Sequence, residues 1–455
     1  MKWFANRNNQ EAITEGGLLK AIAMLAVPML AGAVLQNVQS LIDLFWVGRL
    51  GSHAVAAVAM SGTVLMLLFP ALMGLSTGTV ALVARATGAG RTDDAAAAAG
   101  QSLMLAMVLG GISAVFGWFF SPHLFHLFGA EPDIIADGSL YLRISLIGSF
   151  TVFVLFIGNA ALQGAGDAIT PMAVMAVANV VNIVLDPLLI YGPGPLPALG
   201  VRGAAWATVL SQASAASLSL YILFTGRAHL RIHLRQWKPD MDLAWRILRI
   251  GLPGSGQMLS RSLMSAVLMW IVASCGTAAV AAYGVGMRFH MIALMPAFAL
   301  GGAAATMMGQ NLGAGKPARA RRAAWVAVGL DILFMTAIAA VLMLFAPRLI
   351  GFFNREPEVV RIGAGYLQIV SPCYIFAALG IVLNRALNGA GDSMGPMIIT
   401  VSTLWGLQVP LAIVLSRYLE PATDGIWWAI VISIAVQGIL SSWWFERGKW
   451  MRKKV

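Results

Sequence analysis

The sequence predicts an all-α polytopic membrane protein, with twelve transmembrane helices in two parallel six-helix repeats offset by 225 residues. Three observations predict it. Hydrophobic residues make up 59% of the 455 and charged residues only 11%, with a mean hydropathy of +0.80, which excludes a soluble chain. The apolar residues gather into stretches of about 20, enough for a helix to cross the hydrocarbon of a bilayer. Finally, residues 225 apart match along most of the chain. Gly51 pairs with Gly276, Gly88-Ala89-Gly90 with Gly313-Ala314-Gly315, Pro122 with Pro347, and Glu131-Pro132 with Glu356-Pro357. Tyr141-Leu142 pairs with Tyr366-Leu367, Asn159 with Asn384, Gly166-Asp167 with Gly391-Asp392, and Pro171-Met172 with Pro396-Met397.

The first six spans cover roughly 18–46, 54–83, 95–120, 134–161, 169–191 and 201–225. The second six cover roughly 244–272, 281–308, 322–346, 361–388, 397–416 and 424–445. The first lobe is therefore residues 1–225, a cytoplasmic linker fills 226–243, and the second lobe is 244–455. Six is an even number, so both halves insert with one orientation, and their interface is the natural place for a central cavity. Glycine punctuates the spans because it supplies the positive φ that ends helices. The turns Gly88-Ala89-Gly90-Arg91 and Gly313-Ala314-Gly315-Lys316 read as structural, as do Gly164-Ala165-Gly166-Asp167 and Gly389-Ala390-Gly391-Asp392. The linker carries Arg227, Arg231, Arg235 and Lys238 between Leu230, Ile232 and Leu234. That pattern suits a short amphipathic helix on the membrane face or a solvated connection.

The net charge of +11 is an orientation signal and not a nucleic-acid footprint. With both termini cytoplasmic, 21 of the 30 Lys and Arg residues fall on the cytoplasmic side, Arg385 among them. Arg49, Arg202, Arg348, Arg355, Arg361 and Arg417 fall outside, and Arg143, Arg261 and Arg288 within helices. This is the positive-inside pattern of an inner (cytoplasmic) membrane protein embedded in lipid. Cys275 and Cys373 give no reason to pair, and His123 and His126 read as surface residues. No cofactor is expected. Metal-ligand spacing, a phosphate-binding loop and a nucleophile–base set are all missing, so the chain does not read as an enzyme.

The polar residues at membrane depth carry the chemistry. An ionised side chain at the bilayer centre costs roughly 2.5–3.5 kcal/mol on insertion scales. Asp43, Asp186 and Asp331 incur that cost in spans one, five and nine. Gln36, Gln39, Ser40 and Asp43 share one face of span one, and Asn179, Asn182 and Asp186 one face of span five. The repeat holds Leu268 in place of Asp43, and Leu404, Leu407 and Leu411 in place of the span-five set. A scaffold that keeps its turns and drops these polar groups from one half places a site in the other. Two acids facing one low-dielectric pocket cannot both ionise cheaply. They would share a proton or bind a cation such as sodium, with amide oxygens as further ligands. Pro28 offers a bend point in span one, and Pro253 is its duplicate. Asp331 has no amide stripe and is expected to pair with Arg261 or Arg288, with a place in a substrate cavity as the other reading.

Pro28, Gln36, Asp43-Leu44-Phe45-Trp46-Val47-Gly48, Gln163 to Asp167, Asn182 to Pro187 and Gly203 to Thr208 together resemble the MATE family of multidrug and toxic compound extrusion transporters. The resemblance runs through all twelve spans. It implies two six-helix lobes around a V-shaped cavity, alternating access, and export of organic cations against a proton or sodium gradient. It also implies a first-lobe ion site at Asp43, Asn182, Asp186 and Thr208, with Gln36, Gln39, Asn179 and Asp331 as weaker candidates for the cavity wall. The archaeal proton-coupled type carries a tyrosine where this chain has Gln39. The branch with a second-lobe sodium site uses acids in spans seven and ten, where this chain offers Gln257 and Gln368. The pattern is nearer the DNA-damage-inducible-F branch.

A flippase for a lipid-linked precursor is the alternative within the same wider superfamily. It needs basic residues in the cavity to hold a pyrophosphate, and the stripe here is acidic and amide-rich. An intramembrane enzyme lacks its catalytic set, and a purely structural or receptor role leaves the asymmetric acids unexplained. A monomer is expected, because the two lobes already supply the interface.

Overall fold

The structure is a computed structural model that describes residues 8–127, 129, 131–192, 197–228, 230–233 and 237–453. Among them there is no β-strand, and twelve helices are long and apolar enough to cross a membrane. Spans one to six are Leu18–Gly48, Ser52–Gly88, Thr92–Leu127, Pro132–Gly164, Ile169–Tyr191 and Val201–Thr225. Spans seven to twelve are Met241–Ala273, Thr277–Gly313, Pro317–Phe353, Pro357–Gly389, Met394–Tyr418 and Ala422–Glu446. Several outrun the hydropathy boundaries. Span eight has 37 residues, about 55 Å at 1.5 Å per residue, against a hydrocarbon of about 30 Å. Hydropathy sees only the lipid-embedded part, whereas backbone hydrogen bonding continues into water until a glycine stops it.

Those stops repeat. Gly51 and Gly276 have φ of +105° and +103°, Gly90 and Gly315 +70° and +71°, and Gly166 and Gly391 +91° and +85°. Proline marks the internal irregularities. Met66–Leu68 and Ser371–Cys373 tighten to 3-10 geometry beside Pro70 and Pro372. Ser402–Gln408, just before Pro410, widens to a π-helix. A proline lacks the N–H that would close the preceding turn.

The lobes meet near the end that carries the termini, through contacts that obey the repeat. A Cβ on Gly88 would overlap the Gln310 carbonyl, and one on Gly313 would overlap that of Arg85. Gly302 approaches the Met29 sulfur, while Gly254 approaches Thr77. Each second contact is the first moved by 225 residues on both sides. Gln310 Nε2 donates to the Gly164 carbonyl (3.0 Å) and Arg85 Nη1 to that of Ala390 (3.2 Å). Spans two and seven close further along through Gly74 with Ser255 and Gly78 with Ile247. The far half of span two, Ser52–Leu65, packs on span four of its own lobe instead. The lobes are thus joined at one end and packed separately at the other.

A short helix, α1 (Asn8–Thr14), clips to the joined end. Ile13 is fully buried and contacts Gly166 of the first lobe, while its carbonyl accepts from Asn311 and Arg319 of the second. Lys316 donates to the Thr14 carbonyl at 3.3 Å and to Glu15 at 2.8 Å. At the other terminus, Lys453 pairs with Asp392. The linker's described residues contain no helix before Met241, where span seven begins two residues earlier than the linker's expected end at 243. Leu230 and Ile232 are buried in the first-lobe core, and Ile232 N donates back to the Leu223 carbonyl. Leu234 and Arg235 lie outside the described residues. Cys275 and Cys373 are free thiols.

Candidate cation site

Spans one and five lie side by side and are tied at two levels. Asn179 Nδ2 donates to the Leu35 carbonyl at 2.8 Å, and the Tyr191 hydroxyl donates to that of Trp46 at 3.0 Å. Asp43 and Asp186 fall between these ties. The Asp43 carboxyl meets those of Asp186 and the Asn182 amide, and Asn182 Nδ2 reaches Asp186 Oδ1 at 3.4 Å. Asp186 and Asn182 are fully buried, Asn179 nearly so, and Asp43 half-buried.

Both amide nitrogens are committed, one to backbone and one to a carboxylate. What remains is acceptors. Asp43 Oδ1, Asn179 Oδ1, Asn182 Oδ1 and Asp186 Oδ2 are all buried without a hydrogen-bond partner. An unsatisfied buried polar group costs about 1–3 kcal/mol, so a cluster of such acceptors asks for a proton or a metal cation. Carboxylate and amide oxygens suit a hard ion such as sodium. Among the described residues, no group of three or more His, Cys, Asp or Glu could hold a metal.

The other predicted residues are placed as follows. Gln39 is buried beside the site on span one; Gln36 is half-buried, and its carbonyl accepts from Ser40. Thr208 is half-buried on span six, which packs against span five, and its hydroxyl is spent on the Ala204 carbonyl at 3.0 Å. Asp331 is a correction. None of the five ion pairs among the described residues includes it, and both its oxygens are buried without a partner. Of the two expected partners, Arg261 sits on span seven, which packs against spans two and eleven and not against span nine, and Arg288, on span eight beside span nine, is in none of those ion pairs. Arg385 is a second correction. It lies inside span ten, over the Phe298 ring, and not with the cytoplasmic charge.

One residue was missed as part of the site. Tyr141, on span four, packs against Val47 of span one and Ile190 of span five, the two helices that carry the acids. Its repeat mate Tyr366 is buried in a second-lobe aromatic cluster, with ring centroids 5.9 Å from Tyr283 and 4.9 Å from Trp427. The match between the two tyrosines was visible in the sequence, but it pointed to scaffold. In the second lobe, Gln257 donates to Thr400 Oγ1 at 3.0 Å, as does Gln437, while Gln368 is exposed. Those amides bind each other's neighbourhood and form no counterpart of the first-lobe acceptor set.

Known proteins match the chain along its length. The MatE family model covers residues 28–188 and 253–414, one match per lobe. The protein named "Probable multidrug resistance protein NorM" of Thermotoga maritima is 30% identical over 99% of this chain and 97% of its own length. The "FAD transporter" of Shewanella oneidensis is 31% identical over 93% of this chain and 94% of its own. A solved MOP-superfamily transporter from Pyrococcus furiosus superposes with a TM-score of 0.90 at 28% identity, covering 99% of this chain and all of that one. The chain belongs to the MatE family, and is a multi-pass membrane transporter and not an enzyme.

Proposed function

We propose that the chain is an antiporter of the inner membrane, with both termini cytoplasmic, that exports amphipathic organic cations in exchange for a proton or a sodium ion. The observation that carries this reading is the acceptor-only cluster of Asp43, Asn179, Asn182 and Asp186. With the Asn182 amide as the one neutral donor given to them, two carboxyls held together in a low-dielectric gap repel unless one positive charge is shared between them. Occupancy therefore draws span one toward span five, and loss of the cation relaxes it. The drive to move the lobes comes from different affinities for the ion and the substrate in two global states. Asp43 and Asp186 hold the coupling ion. Asn182 and Asn179 orient and complete its shell, Thr208 stands behind them on span six, and Tyr141 closes the site from span four. Gln36, Gln39 and Asp331 belong to the walls. Names given to the relatives point to efflux of drugs and to FAD, so a flavin is the second cargo to try.

The test is reconstitution in liposomes, with uptake of a fluorescent organic cation under a pH gradient alone and then a sodium gradient alone. Drive by pH assigns a proton to the acid pair, and drive by sodium assigns a metal ion held with the amide oxygens. No uptake with either gradient, from protein shown to be folded, sinks the antiport reading and favours a lipid-linked cargo.

A further inference from the structure

One short element crosses the seam between the lobes at the termini end. Helix α1 seats Ile13, fully buried, against Gly166 of the first lobe, and packs along spans one and eight. The second lobe grips its last turn by the carbonyls. Arg319 donates to the Ile13 oxygen at 3.2 Å and to that of Gly16 at 2.5 Å. Asn311 donates to the Ile13 oxygen at 3.4 Å, and Lys316 to that of Thr14 at 3.3 Å. The Lys316 ammonium also pairs with Glu15 at 2.8 Å. A helix end leaves such carbonyls without partners of its own, and cationic donors make the stronger kind of hydrogen bond to them.

The repeat gives this grip no counterpart. The mates of Lys316 and Arg319 are Arg91 and Asp94, which pair with each other at 3.2 Å and are 65% and 59% exposed, so no described segment lies over them. The chain that precedes span seven, as α1 precedes span one, stays with the first lobe. Leu230 and Ile232 fill that lobe's core, and the Lys238 carbonyl accepts from Gln101 of span three. The connection from α1 to span one is also short. Only Glu15, Gly16 and Gly17 lie between Thr14 and Leu18, and three residues reach about 10 Å at full extension. Gly16 is folded back on α1, with its N–H on the Glu11 and Ala12 carbonyls. A shift of span one, the helix that carries Asp43, therefore pulls on α1 directly.

We propose that α1 is a latch for the termini end: seated, it holds the two lobes together there, and it must leave its seat, drawn by span one, before they can part. Parted lobes cannot both keep Ile13, since Gly166 belongs to one and Asn311 and Arg319 to the other. Contacts made in one arrangement and lost in the other bias the equilibrium by their own free energy. The latch does not depend on which ion Asp43 and Asp186 hold. Its test needs neither gradient nor cargo, so it and the antiport reading can fail separately.

The experiment uses the full-length chain in nanodiscs, with Cys275→Ser and Cys373→Ser as background and Thr306→Cys as reporter. Thr306 is fully buried on span eight, its hydroxyl 3.2 Å from the Gln163 carbonyl of the other lobe. The rate of labelling by a water-soluble maleimide then reads the parting of the lobes at this end. Arg319→Gln and Lys316→Gln should each raise that rate about tenfold, the size of a lost charged hydrogen bond. Arg319→Lys should raise it less, because the cation remains. Arg91→Gln, on the unlatched side of the repeat, should leave it unchanged. An unchanged rate in both glutamine variants of the grip overturns the latch, and so does an equal rise with Arg91→Gln, which marks a general effect of charge. Hydrogen exchange separates release from misfolding: residues 11–16 should exchange faster while the second-lobe core around Tyr283, Tyr366 and Trp427 stays protected. Faster labelling with α1 still protected, or with that core opened as well, also overturns the proposal.

Discussion

Where span five presents Asn179, Asn182 and Asp186 to span one, span eleven holds Leu404, Leu407 and Leu411 at the equivalent positions and meets span seven through Trp405 and Thr400 instead. The backbones differ as well. Span five is a continuous α-helix through this stretch, whereas Ser402–Gln408 of span eleven is π-helical. Nearby, Tyr141 packs against Val47 and Ile190 on the two acid-bearing helices, while its repeat mate Tyr366 packs in an aromatic cluster. At the termini end, Arg91 pairs locally with Asp94, but the equivalent Lys316 and Arg319 are both basic and grip the N-terminal helix. The contacts of Gly88 and Gly302 recur at Gly313 and Gly254, whereas Gly74 and Gly78 have Ala299 and Ala303 as repeat mates. The two halves share what any six-helix lobe needs to pack against its twin. They differ where a site or a latch needs only one copy.

Substitutions can break this comparison, and the largest effect should come from the acids. Asp43→Asn and Asp186→Asn should each reduce gradient-driven transport to background while leaving a folded membrane protein, because an amide neither takes up a proton nor supplies a charged ligand. Normal uptake by either variant would falsify the site. The converse substitution, Leu411→Asp, should yield no new coupling, since Leu268 stands where a second acid would be needed. It should cost about 2.5–3.5 kcal/mol as an unpaired charge at membrane depth, visible as a lower unfolding temperature in detergent.

Next come the shared glycines. Gly88→Val and Gly313→Val should each cost about 1–3 kcal/mol by overpacking a backbone contact. If the twofold relation governs the seal, the two should raise labelling of a cysteine introduced at Arg91, in a background with Cys275 and Cys373 replaced by serine, to the same extent; a large difference between them would show that one lobe alone carries it. A smaller effect is expected of the tyrosines. Tyr141→Phe should alter the pH or sodium dependence of transport and leave stability within about 1 kcal/mol, while Tyr366→Phe should leave the ion dependence as it is.

Smallest is the N-terminal latch. Lys316 beside Glu15 holds its carboxyl below the ordinary value of 4.5. A carboxyl lowered on folding contributes above its unfolded pKa and is lost as pH falls through the folded one. The latch should therefore be indifferent to pH from neutrality down to about 4.5 and loosen only below it. Hydrogen exchange in residues 11–16 would read this, and loosening already near neutrality would rule the pair out as its cause.

The sequence alone determined the twelve spans, the 225-residue repeat and the acids of one half. Hydropathy, glycine punctuation and polar periodicity are local or one-dimensional signals, and each acid at membrane depth stands out by its cost. Tertiary structure decided which of those groups meet. Asp43 and Asp186 lie 143 positions apart, and their common pocket exists only because spans one and five pack in register. Asp331 and Arg261 share a lobe yet sit on helices that do not pack together. Arg385 resembled cytoplasmic charge until span ten carried it past Phe298. Tyr141 resembled scaffold because its repeat mate is scaffold. Composition can price a buried charge, but only packing chooses its partner, because the neighbours across a helix interface come from distant parts of the chain.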